Sequence, residues 1–107
     1  MEEYAVQYAP LAIEDLRNIY AYIAHMLMEP TTALKQTDRI REGIRALSVM
    51  PSRHALVDWE PWRSLQIRKL PIDNYLAFYS VNSEERSVTV YRIFYGGRNI
   101  QEIITND

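Results

Sequence analysis

The second half of the chain carries three runs of bulky residues, Leu65–Leu70, Tyr75–Val81 and Val88–Tyr95, with only PIDN and NSEERS between them. Connections this short and polar close hairpins, so the three runs are expected to form an antiparallel meander. In the middle run Tyr75, Ala77, Tyr79 and Val81 point one way, and Leu76 and Phe78 the other. A strand that is apolar on both sides belongs in the centre of a sheet with cover on its faces.

The first half supplies one cover. YAVQYAP reads as a short strand with Tyr4, Val6 and Tyr8 on one side, and Pro10 suits the first turn of a helix. Ala12, Leu16, Ile19, Tyr20, Ile23 and Leu27 then fall on one stripe at helical spacing. Glu29-Pro30 interrupts it, and Thr31 or Thr32 is placed to cap a second helix. That helix carries Ala33, Thr37, Ile40, Ile44 and Leu47 on one side, and Pro51 stops it. The expected fold is one α+β domain over residues 1–107, ordered β-α-α-β-β-β. It has an antiparallel sheet with a helical hairpin packed on one face, and the other face left for something else. Residues 51 to 64 form the longest irregular stretch. The tail IQEIITND suits a helical turn or an edge strand equally.

Composition narrows the function classes. With no cysteine there is no disulfide framework, thiolate metal site or thiol nucleophile. No apolar run approaches the roughly 20 residues that cross a bilayer, and MEEYAVQYAP lacks the pattern of a signal peptide. A soluble, cytoplasmic protein without a membrane partner is expected. The formal net charge of −2 conceals an asymmetry. From Thr31 to Leu70, Lys35, Arg39, Arg41, Arg45, Arg53, Arg63, Arg68 and Lys69 stand against Asp38, Glu42, Asp58 and Glu60. Eight cations against four carboxylates make that stretch +4 and the remainder −6. Such a stretch suits phosphate or an acidic partner, or a solvated face with internal ion pairs.

His25 lies opposite its helix's apolar stripe, and His54 has no second histidine or paired carboxylates nearby in sequence, so no metal or other cofactor is expected. Gly96-Gly97 stands alone and does not make a phosphate loop. Trp59 and Trp62 in DWEPWR read first as caps on the core and second as a contact surface. The arginines carry more. Arg68 and Arg92 each interrupt an apolar strand, where an unpaired guanidinium costs several kcal/mol if buried. Arg98 follows the two glycines at a strand end. Together with Tyr75, Tyr79, Tyr91 and Tyr95 they suggest a cationic, aromatic-lined surface for an anionic segment or a nucleic-acid strand.

With these residues in view, the chain resembles the RelE/ParE superfamily of bacterial type II toxins over nearly its whole length. YAVQYAPLAIEDLRNIYAYIA is similar to that superfamily's opening strand and helix. LQIRKLPIDNYLAFYSV is similar to its second and third strands, and VTVYRIFYGGRN to its last. The resemblance implies a toxin neutralised by a small cognate antitoxin in a hetero-oligomer. RelE-like members cut messenger RNA on the ribosome, and ParE-like members poison DNA gyrase. RelE-type nucleases usually carry an arginine where this chain has Leu76, and a late tyrosine or histidine where it has Ile103-Ile104. Arg98 matches their late arginine. RNA cleavage needs a base, an acid and a cationic stabiliser. Arg68 and Arg98 supply the last, leaving Tyr95 and the distant Glu60 for the others. The expectation is a ParE-like toxin directed at gyrase, with Arg68, Arg92, Tyr95, Arg98, Trp59 and Trp62 facing target or antitoxin. A RelE-like nuclease using Arg68, Tyr95 and Arg98 is the alternative, and a degenerate binding module without toxicity the third reading.

Overall fold

The computed structural model describes residues 3–105. The elements are β1 (Ala5–Tyr8), α1 (Pro10–Ala21), α2 (Pro30–Arg45), β2 (Arg68–Ile72), β3 (Tyr75–Asn82), β4 (Ser87–Tyr95) and a short α3 (Ile100–Thr105). The β-α-α-β-β-β order is as expected. Within the described part of the tail, helix prevails over strand; Asn106-Asp107 lie outside the described residues.

Proline opens both long helices, because its fixed φ is already helical and its missing N–H has no partner to lose there. At α2 this displaces the expected threonine cap: the helix begins at Pro30, and Glu29 before it makes no side-chain cap. The hairpin's inner surface follows the helical stripes. Ala12, Leu16 and Ile23 are buried on one side and Ala33, Thr37, Ile40 and Ile44 on the other. Thr37 is accommodated because its hydroxyl donates to the Ala33 carbonyl at 3.0 Å. Between the helices, α1 runs into a π turn over Tyr22–Met26, and Met28 takes φ 55°.

The four strands are ordered β1-β4-β3-β2. The meander β2-β3-β4 is antiparallel, but β1 joins β4 in parallel, Ala5–Tyr8 against Ser87–Val90. The wholly antiparallel sheet is therefore corrected at β1, whose direction no short turn dictates. β2 begins only at Arg68, because Gln66 is left-handed at φ 56° and breaks the run. Pro71 and Ile72 then continue the strand, and the hairpin turn is Asp73-Asn74. Proline is tolerated because β2 is an edge strand.

Two apolar clusters sandwich the sheet. One joins the helical hairpin to Ala77, Tyr79, Val88, Val90 and Ile93. The other gathers Val57, Trp62, Ile67, Phe78, Phe94 and Ile100. The second face is thus not left bare: the aromatic loop and α3 cover it. Among the described residues no helix is long and apolar enough to cross a membrane.

Candidate functional site

A β-bulge in β4 organises the region around Arg98. Tyr79 pairs with Val90 and Phe78 with Arg92, so Tyr91 is the extra residue. A bulge shifts the alternation of faces. Val88, Val90 and Ile93 all join the helix-side core as a result, while Phe94 turns to the other side. Arg92 sits with its guanidinium carbon 4.5 Å from the centroid of the Phe94 ring.

Asp15 of α1 answers the cost of the arginine in an apolar strand. Its carboxylate accepts from Arg92 Nε at 2.9 Å and from Nη2 at 3.1 Å, and from the Ile93 backbone N–H at 2.8 Å. The two side chains are 15 % and 10 % exposed. β1 pairs only as far as Val90, so Asp15 takes up a backbone donor that β1 does not reach. Asp15 escaped the sequence reading, although a carboxylate on the apolar side of α1, between Ala12 and Ile19, was the available signal.

Beyond this pair lies a cavity of about 820 Å³ between the end of α1, the outer edge of β4 and α3. Arg92, Tyr95 and Arg98 line it, with Tyr22, Tyr75 and the apolar Ile19 and Ile103. Tyr75 and Tyr95 meet edge to face at 5.8 Å. Burial first, and then the neighbouring Tyr95 and Tyr22, push the Tyr75 phenol above its ordinary pKa. Arg98 is exposed, its guanidinium carbon 5.8 Å from the Phe94 centroid, and among the described residues it has no carboxylate partner. The glycines before it answer a close approach rather than a left-handed backbone, since no glycine has positive φ. A Cβ on Gly97 would stand 2.6 Å from Tyr95 Cε2, and one on Gly96 3.3 Å from the Asn74 carbonyl.

The remaining candidates lie elsewhere. Arg68 is on β2, separated from β4 by β3, and does not line this cavity. Its Nη1 donates to the His54 carbonyl at 2.7 Å. Opposite it, Tyr79 is fully buried and donates its hydroxyl to the Pro51 carbonyl at 2.6 Å. Burial raises the Tyr79 pKa to about 12. So Tyr79 belongs to the core and to no aromatic surface. Trp62 is buried, stacked on Trp59 at 5.1 Å and tilted on Phe78 at 4.7 Å. Glu60 accepts from the Ser64 N–H and hydroxyl, which hold its pKa down, and it too lies off the cavity.

The basic stretch divides. On α2 and its flank Arg39 pairs with Asp73, Arg41 with Asp38 and Arg45 with Glu42. Among the described residues Arg53, Arg63, Arg68 and Lys69 have no such ion pair. Nor do three His, Asp or Glu side chains gather anywhere as potential metal ligands among them.

Comparison with known proteins agrees with this architecture. Residues 6–100 match the family described as the ParE toxin of the type II toxin-antitoxin system, parDE. Among solved structures, a chain of the chromosomal ParDE system from P. aeruginosa superposes with a TM-score of 0.71 at 23 % identity, over 87 % of this chain and 96 % of that one. A chain of the RelBE2 toxin–antitoxin complex from Mycobacterium tuberculosis gives 0.64 at 18 %, over 89 % and 93 %. A chain of the archaeal RelE–RelB complex from Pyrococcus horikoshii OT3 gives 0.62 at 14 %, over 90 % and 98 %. No curated protein matches.

Proposed function

The chain belongs to the ParE toxin family of type II toxin–antitoxin systems, and on that footing we propose that it arrests bacterial growth in the cytoplasm by binding DNA gyrase. A cognate antitoxin neutralises it, as the ParDE and RelBE complexes among its structural neighbours suggest. Arg98 and Tyr95 face the target, and Arg92 holds the strand that carries them.

One observation supports binding over RNA cleavage. Among the described residues, the Arg98 cavity has cations and phenols but no group disposed to take a proton. Its one described carboxylate, Asp15, is occupied by Arg92 and the Ile93 N–H, and no described histidine lines it. The Tyr75 phenol shifts upward, away from the range a general base at neutral pH needs. A surface that only binds needs none of these groups.

Induction of the chain in bacteria without an antitoxin tests this. Arrested DNA replication with filamentation is the expected outcome. Rapid loss of translation would favour ribosome-dependent mRNA cleavage instead, and normal growth would mark a binding module without toxicity.

A further inference from the structure

A second set of cations gathers at the β2 margin of the sheet, on the side that the helices cover. Arg68 pairs across the strands with Tyr79, which belongs to the helix-side core, so the two share a face. The segment after α2 is pinned beside them at three points. The Pro51 carbonyl accepts from the Tyr79 hydroxyl at 2.6 Å, the His54 carbonyl from Arg68 Nη1 at 2.7 Å, and the Ala55 carbonyl from the Lys69 N–H at 3.0 Å. Pinning brings Arg53 and Arg68 to one residue, because Arg53 Nε donates to His54 Nε2 at 3.4 Å.

The arginines of α2 and Arg92 hold carboxylates, whereas Arg53 and Arg68 have no carboxylate partner among the described residues. Arg68 is half-buried, and its Nε and Nη2 have no described acceptor. The Tyr79 hydroxyl does not serve as an anion, because burial raises its pKa to about 12. Burial first, and then Arg53 and Arg68, hold the His54 pKa below its ordinary value. This margin does not suit a peptide strand either: Lys69 gives its N–H to Ala55, and Pro71 has none. A compact anion from outside fits it. A carboxylate occupies one guanidinium fork, whereas a phosphate has oxygens enough for two.

We propose that Arg53 and Arg68, gathered about His54, form a phosphate-binding site at the β2 margin. The ligand is a phosphate group, carried by a small molecule or by a nucleic-acid backbone. Its oxygens accept from the Arg53 guanidinium and from the donors that Arg68 has left. β3 separates β2 from β4, so the site is distinct from the Arg98 cavity and independent of the target assigned to it. Arg53, Arg68 of β2 and Tyr79 of β3 face His54. An anion seated there offsets the arginines' repulsion, so occupancy and His54 protonation favour each other.

The test is histidine-ring NMR of the full chain as sodium phosphate replaces sodium chloride at constant ionic strength and neutral pH. The chain has two histidines, and the exposed His25 serves as the internal reference. His54 should shift along a saturating curve while His25 stays put. Acetate should bind about tenfold more weakly than phosphate, and Arg53→Gln should weaken phosphate about tenfold, as one charge-assisted contact implies. Lys35→Gln, on the exposed face of α2, should bind like the parent. Sulfate, whose charge is constant through the titration, should raise the His54 pKa and not that of His25. A short DNA duplex distinguishes the sources. A backbone site lets the duplex move His54 and compete with phosphate, whereas a small-molecule site binds phosphate and leaves the duplex without effect on His54. Equal movement of the two histidines, equal affinity for phosphate and acetate, a His54 pKa that sulfate leaves unchanged, or undiminished phosphate binding by Arg53→Gln overturns the proposal.

Discussion

Two arginines on one strand illustrate how differently a guanidinium is used. Arg92 is nearly enclosed and held by Asp15, so its removal or that of its partner strands a buried charge. Asp15→Ala should cost about 3–5 kcal/mol of stability. The double variant with both residues changed to leucine should lose much less than the sum of the single losses. Additive losses in chemical denaturation would refute the pairing. Arg98 is exposed and has no carboxylate partner among the described residues, and the proposed function gives it a partner outside the chain. Arg98→Ala should stay within about 0.5 kcal/mol of the parent while growth inhibition drops sharply. Arg98→Lys should recover only part of it, since lysine keeps the charge and loses the planar fork. An alanine variant as toxic as the parent would make Arg98 a solvated charge after a turn. From sequence, Arg68, Arg92 and Arg98 look alike, because each is an arginine in or after an apolar strand. What separates them is the partner: a carboxylate 77 residues away for Arg92, a loop carbonyl for Arg68, and for Arg98 the Phe94 ring with no described carboxylate.

At the scale of elements, the irregular stretch before β2 does more structural work than its composition suggests. Trp62 fills the second core between Trp59 and Phe78. Trp62→Ala should therefore destabilise by about 3–5 kcal/mol, and a loss below about 1 kcal/mol would instead mark the tryptophan as a surface anchor. The neighbouring segment carries a pH dependence. Burial, with Arg53 and Arg68 adding repulsion, holds the His54 pKa below its ordinary value. The unfolded chain takes up this proton near pH ~6.5 and the folded chain only at lower pH. His54's contribution to stability is thus intact above that pH and lost progressively as the pH falls below it. His54→Gln should flatten the fall in melting temperature over this window, and an unchanged slope would contradict the assignment. The helix stripes and the meander were legible because periodicity and turn length are local. The direction of β1 and the left-handed Gln66 that delays β2 were not, since each depends on contacts distant in sequence, while the loop's tryptophans already read first as caps on the core.

Over the whole molecule, the charge pattern and the Arg98 cavity bear on the same question. The three arginines of α2 are spent on carboxylates, whereas Lys35, Arg53, Arg63, Arg68 and Lys69 have no such partner among the described residues. The family was legible from the order of its strands and helices, because that order spans the chain. The target was not, because chains of both ParDE and RelBE systems share this architecture. The purified chain in a DNA gyrase supercoiling reaction, run beside a translating-ribosome reaction, decides between them. A gyrase-binding toxin should abolish supercoiling in the parent form, lose most of that effect as Arg98→Ala, and leave messenger RNA whole. Unimpaired supercoiling together with codon-specific cuts in the ribosome reaction would contradict it.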